Sequence, residues 1–116
     1  MASFKRAFFT CGDPGYNLTI DLLIRDNRKR FADLPTAGWW GRLGTQDIWP
    51  FVIAKDGQCD FGQDSDNPIT YKQRYGEFDL NDRLLVTGET FLFTYQDERY
   101  EFVLQKLVDV LDKITD

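Results

Sequence analysis

Two groups of carboxylates hold the most obvious chemical potential in this chain. Asp60, Asp64 and Asp66 fall in one polar stretch, and Glu77, Asp79, Asp82 and Glu89 in another. Clustered oxygens of this kind can bind calcium, and two carboxylates held about 5 to 10 Å apart can hydrolyse a glycosidic bond. Neither chemistry is expected here. The bend glycine and closing glutamate of a calcium loop are out of place, and a chain of 116 residues built on one sheet rarely supplies a cleft for a sugar ring. Asp60-Phe61-Gly62 repeats the magnesium-binding tripeptide of protein kinases, but the glycine-rich loop, lysine strand and catalytic loop that give it meaning are missing.

Other catalytic apparatus is excluded more simply. The chain has no histidine, which removes Ser-His-Asp and Cys-His machinery and most zinc sites. Cys11 and Cys59 are too far apart for a zinc ribbon or a redox CxxC pair, so both are expected to be buried, unbridged thiols. No phosphate-binding glycine loop of either common type occurs. The expectation is a protein that is not an enzyme, has no catalytic residue, and needs neither cofactor nor metal.

The aromatic residues point toward binding. All three tryptophans, Trp39, Trp40 and Trp49, lie in PTAGWWGRLGTQDIWP, with Arg42 beside the first two. Adjacent residues of an extended segment face opposite sides, so one of Trp39 and Trp40 is expected at the surface. Trp49, just before the Phe51 strand, is expected in the core, closing one end of the fold. Exposed Trp and Arg are the residue types that dominate binding hot spots. A basic run, Arg25 to Arg30, lies near Phe31, and basic residues interleaved with rings can hold single-stranded nucleic acid. The formal charge of −5 argues against that, because affinity for phosphate comes from cations, and it favours a basic protein partner.

These residues must be positioned by strands. Phe4 to Cys11 reads as a strand ended by GDPGYN, and Leu18, Ile20, Leu22 and Ile24 alternate with Thr19, Asp21, Leu23 and Arg25 as in a half-buried strand. Residues 26–50 read as loop. Asp56-Gly57 between apolar flanks predicts a hairpin with a type I′ turn. Ile69 to Tyr75 reads as a short strand, and Leu84 to Val86 is a short apolar run ended by Gly88. Phe91, Phe93 and Tyr95 are expected across a second hairpin from Tyr100, Phe102 and Leu104. The spacing of Leu104, Leu107, Val108, Leu111 and Ile114 predicts a C-terminal amphipathic helix.

The sum is one mainly β domain over residues 1–116: a single antiparallel sheet of about seven short strands, rolled into a barrel or sandwich, with that terminal helix. The absence of a signal-like or membrane-spanning apolar run leads us to expect a cytoplasmic protein that binds no membrane. In size, acidity and lack of catalytic groups the chain is similar to small inhibitor and immunity proteins that cap a basic toxin or nuclease, a likeness of type that rests on no motif. The partner-binding residues expected on this reading are Trp39, Trp40, Arg42, Asp56, Asp60, Asp64, Asp66, Glu77 and Asp79, with a homodimer as another route to the same surface features. The alternative is an OB-like or SH3-like barrel serving as a nucleic-acid module or complex subunit.

Overall fold

The computed structural model describes residues 3–12, 15–31, 33–42, 44–45, 47–62 and 70–110. Eight strands and one helical turn follow in order: β1 (Ser3–Cys11), β2 (Tyr16–Ile24), β3 (Thr36–Gly41), β4 (Ile48–Ile53), β5 (Gln58–Asp60), α1 (Tyr71–Arg74), β6 (Tyr75–Phe78), β7 (Thr90–Tyr95) and β8 (Glu98–Asp109). Each strand pairs antiparallel with the next, and β1 pairs with β8, so the sheet closes as an up-and-down barrel. This meander differs from the five-stranded Greek key of the OB fold.

Closure follows from strict alternation. Ala7, Phe9 and Cys11 of β1, Leu18, Ile20, Leu22 and Ile24 of β2, and Phe91 and Phe93 of β7 all face inward and are buried, while their chain neighbours face out. Phe9, Phe78, Phe91, Phe93 and Phe102 meet edge to face in the lumen, with centroids 5.0 to 6.3 Å apart. An eight-stranded barrel has an interior just wide enough for side chains, and here rings fill it. Burying each phenylalanine contributes on the order of 2 kcal/mol.

The second hairpin forms as expected. Phe91 pairs with Phe102 and Phe93 with Tyr100, across a two-residue turn in which Gln96 and Asp97 both have positive φ, as type I′ requires. The first hairpin also forms, between β4 and β5, but its turn is different. Only Gly57 has positive φ, and Ala54 both accepts from the Gly57 N–H and donates to the Gln58 carbonyl. That is a type I turn followed by a glycine bulge, so the type I′ expectation is corrected.

Three further expectations are corrected. Residues 104–109 continue β8 and are not helical; residues 111–116 lie outside the described residues. The helix-like spacing has a local cause, a register shift that sets Phe8 opposite Lys106 but Phe9 opposite Leu104. The extra residue, Gln105, turns Leu107 inward three positions after Leu104, which imitates helical periodicity inside a strand. Residues 71–74 form a helical turn instead of the central part of a strand, because Thr70 and Gln73 make a reciprocal capping box. Thr36–Gly41, read as loop, is β3, and it packs against β2 through Gly38, where an added Cβ would lie 2.5 Å from the Thr19 carbonyl oxygen.

Candidate functional site

The barrel has two ends. At the end carrying the β1–β2, β3–β4 and β7–β8 connections, Trp40 is buried among Tyr16, Trp49, Phe93, Tyr95 and Tyr100, with centroid separations of 5.0 to 5.8 Å. Its indole N–H has no oxygen or nitrogen acceptor among the described residues and is surrounded by rings, the setting in which N–H to π contacts arise. Arg42 lies over Tyr16 at 5.3 Å on the same rim. Trp40 is therefore buried as the plug of this end. Trp39 takes the surface role expected for one of the pair, half-buried on the outer wall opposite Pro50 and Thr19. Trp49 is 43% exposed, which corrects its expected core position: it has inward strand parity but sits at the rim, covering Trp40 from outside.

At the opposite end the basic run splits up. Arg25 covers Phe31, Arg28 is exposed, and Arg30 is buried. The Arg30 guanidinium donates to the Ala54 carbonyl at 2.8 Å and to the Ile53 carbonyl and the Asn81 side chain at 3.4 Å each. Burial lowers its pKa from the ordinary arginine value, with the nearby Cys59 and Asp56 opposing that shift. This arginine staples the β2–β3 connection to the β4–β5 turn, and among the described residues of the run no basic stripe alternating with rings is assembled. Burial pushes the Cys59 thiol up as well, so Cys59 stays protonated and inert.

The acidic residues fare differently. Asp56, Glu77 and Asp79, from two separate acidic stretches, line one groove on the outer wall together with Asn81, Leu92 and Thr94. The ladder explains this convergence, since Gln58 pairs with Glu77 and Glu77 with Thr94, placing all three on the outward face of β5, β6 and β7. Above Glu77 the groove continues for about 250 Å³ between α1 and the β7–β8 hairpin. Tyr71, 70% exposed, lies against Tyr75 with centroids 4.7 Å apart and planes tilted by 46°, and accepts a 3.0 Å hydrogen bond from the Gln58 amide. Nothing in the carboxylate pattern signals Tyr71; the Thr70 to Gln73 capping box was the readable clue, because it lifts residue 71 onto a helical turn.

Asp60 does not join the groove as an open acid. Arg74 binds it through two hydrogen bonds of 2.9 and 3.1 Å, and the Gly62 N–H adds a third. These bonds, Arg74 foremost, hold its carboxyl below the usual carboxylate range. Asp79 pairs with Arg83 at 2.9 Å. Asp56 caps its own turn by accepting from the Gln58 N–H. Asp64 and Asp66 lie outside the described residues. Trp39 and Arg42 sit on or beside β3, with β4 between that strand and β5.

Among the described residues, no three metal-ligating side chains come together, and no helix is long and apolar enough to cross a membrane. The fold and groove define a closed, aromatic-filled antiparallel barrel with an acidic outer channel. No family model, curated protein or solved structure matches the chain.

Proposed function

We propose that this chain is a non-enzymatic protein-binding module that neutralises a basic partner, in the manner of an inhibitor or immunity protein, through the groove along β6. The convergence of Asp56, Glu77 and Asp79 from separate stretches onto one channel carries this reading. Carboxylates along a groove with low-dielectric walls raise the local concentration of a cationic partner and speed its encounter. The filled lumen supports a surface role, because rings already occupy the space where a barrel would hold a small molecule.

The test is capture of cationic proteins by the immobilised chain, compared with a triple variant Asp56→Asn, Glu77→Gln, Asp79→Asn. Capture that is lost in the variant and weakens steeply as salt rises supports the groove. Equal capture by both baits overturns it.

A second reading has its own observation. Ile48, Trp49, Pro50 and Val52 are all exposed along β4, and Ile48, Trp49 and Val52 are among the large apolar groups most open to solvent. A surface of this kind suits self-association, and sedimentation of Val52→Lys against the unaltered chain separates a dimer from a monomer.

A further inference from the structure

The upper part of the groove is built more specifically than an acidic surface requires. Its charges nearly cancel in pairs: Lys72 meets Asp97 at 2.8 Å, and Arg74 meets Asp60 at 2.9 Å. Glu77 makes no hydrogen bond or ion pair among the described residues, so one negative charge is left over in this part of the channel. Beside it stands the Tyr71 ring, touching Tyr75 at a 46° tilt and otherwise largely in solvent. The Gln58 amide donates one of its two N–H groups to the Tyr71 hydroxyl, and its carbonyl oxygen is an acceptor beside it. Thr94, opposite Glu77 across the ladder, adds a hydroxyl on the same face.

We infer that this pocket receives one arginine side chain of the partner, its guanidinium stacked on Tyr71 and hydrogen-bonded to Glu77, Gln58 and Thr94. The inference rests on the proposed groove and assigns the residue it reads. One uncompensated carboxylate calls for one cation. A planar cation with five N–H donors uses the open ring face and the clustered acceptors together, whereas an ammonium matches the charge alone. The chain already contains such a stack, with Arg74 lying over Tyr75 at 5.0 Å. The pocket volume of about 250 Å³ is below the range of about 300 to 1,000 Å³ for whole small-molecule sites, and fits a side chain.

The experiment is a titration of the intact, isotopically labelled chain with the peptide amides Gly-Arg-Gly, Gly-Lys-Gly and Gly-citrulline-Gly, followed by amide shifts. Saturable shifts confined to Gln58, Tyr71, Gly76, Glu77 and Thr94 are expected for the arginine peptide alone. Glu77→Gln should weaken that binding about tenfold or more, the scale of one charge-assisted contact. Tyr71→Ala should narrow the preference for arginine over lysine. Both side chains are exposed, so neither variant threatens the fold. A lysine or citrulline peptide binding as well as the arginine peptide, or arginine shifts that persist in Glu77→Gln, overturns the inference. Oligolysine and oligoarginine peptides separate the two levels: equal, salt-sensitive, groove-localised binding of both leaves the acidic groove standing and removes the arginine pocket. Binding of neither removes both.

Discussion

Trp40 and Trp49 face each other across the β3–β4 ladder with centroids 5.3 Å apart, and one indole is 3% exposed while the other is 43% exposed. Two rings in contact therefore have opposite roles. Replacing Trp40 with alanine should cost about 3 to 5 kcal/mol, the range for deleting a buried aromatic, whereas Trp49→Ala should cost about 1 kcal/mol. Urea midpoints give the stability difference. Acrylamide should quench the fluorescence of the intact chain chiefly through Trp49, and a Trp49→Phe variant should resist quenching.

The buried guanidinium makes a separate prediction. Arg30→Ala removes the guanidinium hydrogen bonds to the Ala54 and Ile53 carbonyls and the packing of a buried side chain, a loss of about 1 to 3 kcal/mol. The variant should unfold at markedly lower denaturant, and Arg28→Ala, at an exposed position, should stay within about 0.5 kcal/mol. Equal effects at both positions would refute the staple.

Backbone geometry at the β4–β5 turn gives a third. Gly57 has φ of +87°, and a Cβ there would lie 2.6 Å from the Phe78 carbonyl oxygen. Gly57→Ala should therefore destabilise by more than about 1 kcal/mol. Gly12→Ala, where an added Cβ meets nothing within 4 Å, should be neutral or slightly stabilising. Thermal melts of the two variants decide the matter.

Acid should loosen the attachment of α1 to β5. Arg74 depresses the Asp60 pKa in the folded state, so between that value and the unfolded one, about 3.9, the unfolded chain binds more protons. Stability from this pair is present above about pH 4 and is lost as pH falls through the folded-state pKa. In Asp60→Asn the loss of stability between pH 6 and pH 3 should be smaller than in the unaltered chain, measured by urea unfolding at each pH.

Much of the barrel was legible because alternation is a direct record of two faces. Leu18 to Ile24 and Phe91 to Tyr95 each announce a strand buried on one side, and the structure places them so. The failures have local causes. The bulge at Gln105 breaks a period of two into a step of three, and that step has the spacing of a helix. The two glycines of β3 hide a strand whose partner, β2, needs one of them to be small. For the groove, the acidic residues were visible but not their meeting, because the register that joins Gln58, Glu77 and Thr94 belongs to the closed sheet and to no single segment.

The seams of the barrel are unequal. Strands β1 and β2 are zipped from Ser3–Ile24 to Cys11–Tyr16, but β4 joins β5 at Val52–Asp60 and Ile53–Cys59, and β6 joins β7 at Glu77–Thr94 and Phe78–Phe93. The cylinder is thinnest where the channel runs, and its amide protons should exchange fastest there. An occupant of the channel would act as an outside clasp on that weak wall. Tightness of grip and stillness of the wall are then two readings of one free energy, and any change that lets the wall breathe will loosen the grip from a distance.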